Sequence, residues 1–176
     1  FFVLGDRVRR HPRIARRAFD EGHQMGTHTW DHPDLRRLSF GGVDWQIGQG
    51  QRELRAVIAS RPTVFRPPYG ATNHHVAAST RKRGLPQLMW SVDPRDWQHR
   101  NAWRVADHVV RHARRNGVVL LHDIHPSTVD AVPDIIRRLR GRGFVLVTVS
   151  EVFPGMRPGQ IYPPHARTWS RPGVPG

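Results

Sequence analysis

The feature that most constrains this chain is an alternation of short, almost continuously apolar runs, bounded by Gly or Pro, with stretches of helical periodicity. Val64-Phe65 stops at Pro67-Pro68, Gln87–Val92 follows Gly84, Val118–Leu121 follows Gly117, and Phe144–Val149 follows Gly143. Runs this apolar need cover on both faces, so the order strand, helix, strand predicts an α/β fold with a parallel sheet buried under helices. Helices are predicted over 11–21, 38–60, 73–83, 101–115 and 129–140. In the first, Pro12 takes the opening helical position, and Ile14, Ala15, Ala18 and Phe19 form a narrow apolar stripe. In the fourth, Trp103, Ala106, Val110 and Ala113 share one face. Phe1–Leu4, ending at a turn residue, Gly5, and Gln24–Thr27 read as further strands. Pro and Gly become dense after Phe153, which predicts a domain over 1–153 and an irregular tail over 154–176.

The 176 residues fit roughly one domain. No apolar run reaches the ~18 residues of a membrane-spanning helix, and no charged-then-apolar leader precedes Phe1. The apolar start without Met reads as a segment whose upstream part is absent. With no cysteine, disulfides and thiolate zinc sites are excluded. The formal charge is +14, and 27 of the 28 basic residues are Arg, Lys82 being the lysine. Such a chain attracts polyanions. Its arginines gather at 7–17, 111–115 and 137–142 on predicted helices, where a solvated face and a polyanion groove are both open readings.

In α/β proteins of this kind, function sits at the carboxyl ends of the strands. Titratable residues occupy every such exit: His28 and His32, Arg66 to Gly70, Asp93 to Trp97, and His122-Asp123. Two imidazoles four apart can aim at one point if an isolated helical turn carries them, as a metal requires, with Pro33 ending the turn. Two ligands do not close a site, and surface histidines are the alternative. The Arg66-Pro67-Pro68-Tyr69-Gly70 segment is stiffened by its prolines. It is either a rigid turn with a surface Arg, or a guanidinium holding a carboxylate beside a backbone N–H presented to a reacting oxygen. Asp93 and Asp96 can orient a histidine, and Trp97 can wall a pocket or pack in a core. His122 ends a buried strand, either as a general acid or as a capped strand end. His125 can line a rim, whereas His74, His75, His108, His112 and His165 read as solvated.

Together, His28-Thr-Trp-Asp-His32, Arg66-Pro-Pro-Tyr-Gly70, Trp90-Ser-Val-Asp-Pro-Arg-Asp-Trp97 and Leu120-Leu-His-Asp123 resemble, in order, four motifs of the NodB-homology polysaccharide deacetylases, carbohydrate esterase family 4. The resemblance implies a distorted (β/α) barrel that hydrolyses N-acetyl groups of amino-sugar polymers such as peptidoglycan, chitin or chitin oligomers, in the cell envelope or outside the cell. It implies that His28 and His32 ligate a divalent metal, usually zinc. Tyr69 would give its backbone N–H to the oxyanion, Arg66 would orient the base, and His122, paired with Asp93, would protonate the departing amine. Leu120, Trp97, Pro68 and Asp96 would shape the substrate pocket. The family's first motif, Thr-Phe-Asp-Asp-Gly, supplies the base and the third metal ligand, and it lies upstream of a segment like Phe1–Gly5. Its absence, together with that of the first barrel strand, implies weak metal binding, little activity and an exposed sheet edge in this chain.

Other readings remain at this stage. A basic nucleic-acid-binding module fits the charge but leaves the four motifs unexplained, so no nucleic acid is expected as a partner. A deacetylase-like domain that only binds glycans, or an amidohydrolase acting on a small amide, would keep the fold and change the chemistry.

Overall fold

The computed structural model describes residues 1–164. It forms two compact units, residues 1–89 with residues 155–164, and residues 90–154. No helix of the described residues is long and apolar enough to cross a membrane.

In the first unit, β1 (Phe2–Val3) pairs in parallel with β2 (Gly26–Thr27), Phe2 opposite Gly26 and Val3 opposite Thr27. Single parallel bridges carry the ladder from Thr27 to Phe65 and from Phe65 to Gln87. There β3 (Gln87–Leu88) pairs in parallel with β4 (Ile161–Tyr162). The strand β4 lies in the segment expected to be irregular, and the backbone N–H of Met89 and of Gln87 hold it through Tyr162 O and Gln160 O. Residues 165–176 of the predicted tail, His165 included, lie outside the described residues.

Four helices cover this ladder: α1 (Gly5–Arg10), α2 (Pro12–Asp20), α3 (Phe40–Ile58) and α4 (His74–Lys82). Gly5 starts a helix instead of making a turn, because the chain there must pass close to α3. A Cβ on Gly5 would stand 2.9 Å from the Gly50 Cα, and one on Gly50 would stand 2.5 Å from the Thr29 carbonyl oxygen. Gly48 and Gly50 of α3 are therefore packing residues, and the helix runs through them. It starts at Ser39, whose hydroxyl accepts the Gly42 N–H at 3.3 Å, and ends at the left-handed Ala59. Val43, Ile47, Phe65, Val76 and Leu85 form one core, while Val8, Ala15, Met25, Leu54 and Ile58 form another. Of the stripe predicted on α2, Ala15 is buried and Ile14 is 70% exposed.

The second unit is built on α6 (Ala102–His112) and α7 (Pro126–Gly141), preceded by the short α5 (Asp96–His99). The face of α6 that is buried is Val105, Ala106, Val109 and Val110, packed with Ala113 against Ala131, Ile135 and Leu139 of α7. Trp103 lies off that face and is 67% exposed, contrary to the predicted stripe. The strand predicted over 118–121 contracts to a bridge between Val119 and Val92. The one predicted over 144–149 is not a strand: Val145 is 81% exposed, and Val149 already opens α8 (Val149–Val152), fixed by the Thr148–Glu151 capping box.

Candidate active-site groups

In the first unit the β2 exit turns sharply after Thr27. Thr29 and His32 both have φ of 72°, a region that β-branched residues avoid, so the turn is not the helical one expected from the spacing. The Thr29 hydroxyl holds it, donating to the His28 carbonyl and accepting the His32 N–H at 3.1 Å. The outcome for the imidazoles is nonetheless convergence. Their ring centroids lie 4.8 Å apart at 71°. His28 is 7% exposed, and its Nδ1 lies 2.5 Å from the Arg66 carbonyl oxygen. A carbonyl only accepts, so Nδ1 carries the hydrogen and Nε2 the lone pair, the arrangement that orients histidine ligands.

The third exit faces the same turn. The Arg66 N–H donates to Thr27 O at 3.1 Å, and its guanidinium lies 4.9 Å from the Phe2 ring centroid. Pro67 and Pro68 are buried and lead into Tyr69, whose φ of 57° is left-handed. The Tyr69 ring packs on His32 at 4.7 Å, and among the described residues its N–H meets no protein acceptor. The carboxylates near the pair are engaged elsewhere. Asp31 accepts from Gln46 Nε2 at 2.7 Å, and Asp34 caps the short turn Leu35–Arg37 and pairs with Arg36 at 2.7 Å.

In the second unit the partner of His122 is Asp96, which corrects the expected pairing with Asp93. Asp96 Oδ1 lies 2.8 Å from His122 Nδ1, and Oδ2 accepts the His122 backbone N–H at 2.6 Å and the Thr128 hydroxyl at 2.9 Å. Asp93 turns away because its Oδ1 accepts the Arg95 N–H at 2.9 Å, closing a turn that the left-handed Arg95 completes before α5 begins. The Asp96 side chain is fully buried. Burial alone would raise its pKa, but the hydrogen bonds from His122 and Thr128 and the His122 charge outweigh it and hold the carboxyl below its ordinary value. An ionised carboxylate only accepts, so the hydrogen of this bond sits on His122 Nδ1 and Nε2 lies outside it. Leu120 is 5% exposed and Trp97 is 37% exposed, so Trp97 is not a core residue. Two residues went unnoticed in the sequence, Thr29 and Thr128. Thr128 lies 32 positions from Asp96 and carries no local signal.

Among the described residues, no group of three or more His, Cys, Asp or Glu gathers to hold a metal. The His28–His32 pair fits two positions of a borderline cation's shell by donor type and by the fixed Nδ1 of His28.

The polysaccharide deacetylase family model matches residues 1–88. Peptidoglycan-N-acetylglucosamine deacetylase PgdA of Listeria monocytogenes is 40% identical over 153 residues, which make up 87% of this chain and 32% of that protein. The chain thus spans about a third of that relative's length. The structure of the peptidoglycan deacetylase PdaC from Bacillus subtilis matches with a TM-score of 0.81 and 38% identity, covering 86% of this chain and 74% of the other. A family 4 carbohydrate esterase from Streptomyces lividans, solved in complex with acetate, matches with a TM-score of 0.81 and 29% identity, covering 89% of this chain and 80% of the other. These neighbours give the chain the α/β fold class of the distorted (β/α) barrels. On sequence and fold alike, the chain belongs to the polysaccharide deacetylase family.

Proposed function

We propose that this chain is the core of a metal-dependent hydrolase that removes N-acetyl groups from amino-sugar polymers of the cell envelope, peptidoglycan first among them. The observation that carries the reading is the buried Asp96, whose two oxygens fix His122 through both its ring and its backbone. Hydrolysis adds water across the amide, breaks the bond between the acyl carbon and nitrogen, and leaves acetate and a free amine. The amine departs only if protonated, and His122 Nε2 is the proton source. The Tyr69 N–H stabilises the charge that develops on the acyl oxygen. Arg66 acts through its carbonyl, which holds His28, and its guanidinium would orient the base that the upstream motif supplies. Leu120 and Trp97 of the second unit are the side chains proposed to lie against the acetyl group. His28 and His32 hold a divalent cation, zinc in this reading, which when bound supplies Lewis acidity to the acyl group and its attacking water.

Hydrolytic zinc sites usually use three protein ligands. Among the described residues the two imidazoles supply two, so these residues by themselves are expected to hold metal loosely and turn over slowly. The same observation favours a second reading, in which the chain binds glycan without cleaving it.

Acetate release from N-acetylglucosamine oligomers separates the two readings, measured with the chain as it stands and with a Thr-Phe-Asp-Asp-Gly segment joined ahead of Phe1. The hydrolase reading expects release in the extended protein that a chelator abolishes. Binding of the oligomers with no release in either protein supports the glycan-binding reading instead, and release indifferent to chelator overturns the metal mechanism.

A further inference from the structure

The outer face of α6 holds a second pair of imidazoles that the proposed chemistry does not use. His108 and His112 are one helical turn apart, with ring centroids 4.1 Å apart and planes inclined by 25°. Spacing of i and i+4 puts both rings over one strip of the helix surface, and with centroids this close side-chain rotation lets one ion reach a nitrogen of each. His112 is already oriented for this. Its Nδ1 lies 2.8 Å from the His108 carbonyl oxygen, which can only accept, so Nδ1 carries the hydrogen and the outward Nε2 the lone pair. Holding the tautomer through a backbone carbonyl is how ligand histidines are commonly fixed.

The helix end favours a cation here. The pair occupies the last turns of α6, where the carbonyl end of the helix carries partial negative charge. His108 is partly buried on this turn. The same group feels the negative charges of Asp93 and Asp107, opposed by the charges of His112 and His99. Arg111, on the same turn, is neutralised by Asp107 at 2.9 Å. Asp93, displaced from His122 by Asp96, thus has a carboxylate whose field reaches this pair.

We propose that His108 and His112 form a solvent-facing chelate for a borderline divalent transition-metal ion, distinct from the His28–His32 pair. Imidazole donors suit Cu2+, Ni2+ and Zn2+ and discriminate against Mg2+ and Ca2+, with Cu2+ bound most tightly. Solvent completes the shell, since no third such ligand is gathered among the described residues.

The test is titration of the full chain with Cu2+ near neutral pH, followed by calorimetry for stoichiometry and by electron paramagnetic resonance for nitrogen ligation. The starting protein is expected to show a site with two-nitrogen ligation that roughly tenfold or more of its affinity leaves on His112→Ala. His112 is exposed, so that variant tests the site without disturbing the core. His108→Gln, checked for an unchanged thermal midpoint, should show the same loss, and a His74→Ala/His75→Ala variant should not. Unchanged stoichiometry and nitrogen coupling in His112→Ala, or an equal loss in the His74/His75 variant, overturns the assignment. Loss of this site with the His28–His32 site intact shows that the two are independent, so failure here leaves the hydrolase reading untouched.

Discussion

Asp96→Asn is the most informative single change, because it alters one charge and no volume at a fully buried position. The carboxylate accepts three hydrogen bonds, from the His122 backbone, His122 Nδ1 and Thr128 Oγ1. An amide offers one accepting oxygen and one NH2. If the oxygen keeps the backbone and Thr128 donors, the NH2 faces His122 Nδ1, which must then surrender its hydrogen. The imidazole is left in the tautomer protonated at Nε2 and can no longer take a second proton without opposing two donors. Bonds to a charged group contribute about 1.5–3 kcal/mol each and neutral ones about 0.5–1.5, so weakening three of them costs about 3 kcal/mol. The pH dependence follows from the depressed carboxyl of the wild type. Its contribution is fully present above the unfolded carboxyl value of about 3.9 and disappears as pH falls through the lower folded value. Urea unfolding followed by near-ultraviolet circular dichroism should therefore show a gap of about 3 kcal/mol at neutral pH that closes on acidification below about pH 4. In the extended protein kcat should fall with little change in KM. Asp93→Asn is the control, since an amide oxygen still accepts the Arg95 N–H and the change should stay within about 0.5 kcal/mol. Equal losses in the two variants, or a gap that persists unchanged in acid, would refute the pairing.

Further perturbations probe the frame that positions these groups. Gly50→Ala would put a methyl 2.5 Å from the Thr29 carbonyl oxygen and 2.7 Å from Thr27 Oγ1, so it should cost about 3 kcal/mol and disturb the His28 turn. Gly41→Ala on the same helix meets nothing closer than Ser39 Oγ at 4.0 Å and should raise stability by up to about 1 kcal/mol, read from the same unfolding curves. Asp44→Asn loosens the clamp of α3 on α4, in which Asp44 bonds Ser79 at 2.8 Å and Arg83 at 2.9 Å. Burial pushes the Asp44 carboxyl up, but Arg83, Ser79 and Lys82 more than offset it and hold it low. The cost, about 1–2 kcal/mol, should therefore be present at neutral pH and vanish as pH falls through that depressed value. His28→Ala should lower zinc affinity in the extended protein by at least tenfold, measured by competition with a chromophoric chelator; unchanged affinity would place the cation elsewhere.

Much of the α/β architecture could be read from the chain because helix periodicity and Gly or Pro stops are local. Pro12 opens α2, Gly84 follows α4, and α7 begins three residues before its predicted start because Pro126 is pre-set for a first helical position. Strands were legible only as apolar runs, since whether a run pairs depends on partners distant in sequence. Gln87-Leu88 found Phe65 and Ile161, whereas 144–149 did not become a strand. The α1 helix was hidden because its first residue is a glycine kept for a close approach to Gly50 and Trp30, a tertiary reason with no sequence signature.

The same distinction explains the one misassigned partner. Asp93 and Asp96 stand three residues apart at one strand exit, equally acidic and equally placed by any pattern of spacing. What separates them is a single left-handed residue, Arg95 at φ 50°, which folds Asp93 back on its own backbone and lets Asp96 begin α5 facing His122. Thr29, His32 and Tyr69 are left-handed as well, and each lies where a candidate group is aimed. Conformations costing about 1–3 kcal/mol apiece persist only where the surroundings over-determine them. The hydroxyl of Thr29 and the buried prolines before Tyr69 are those surroundings, so substituting Thr29 by Val, which keeps the shape and removes the hydroxyl, should release the His28–His32 turn. That variant should lose zinc affinity although it touches no ligand, and retention of wild-type affinity would show that the turn is held by something other than Thr29.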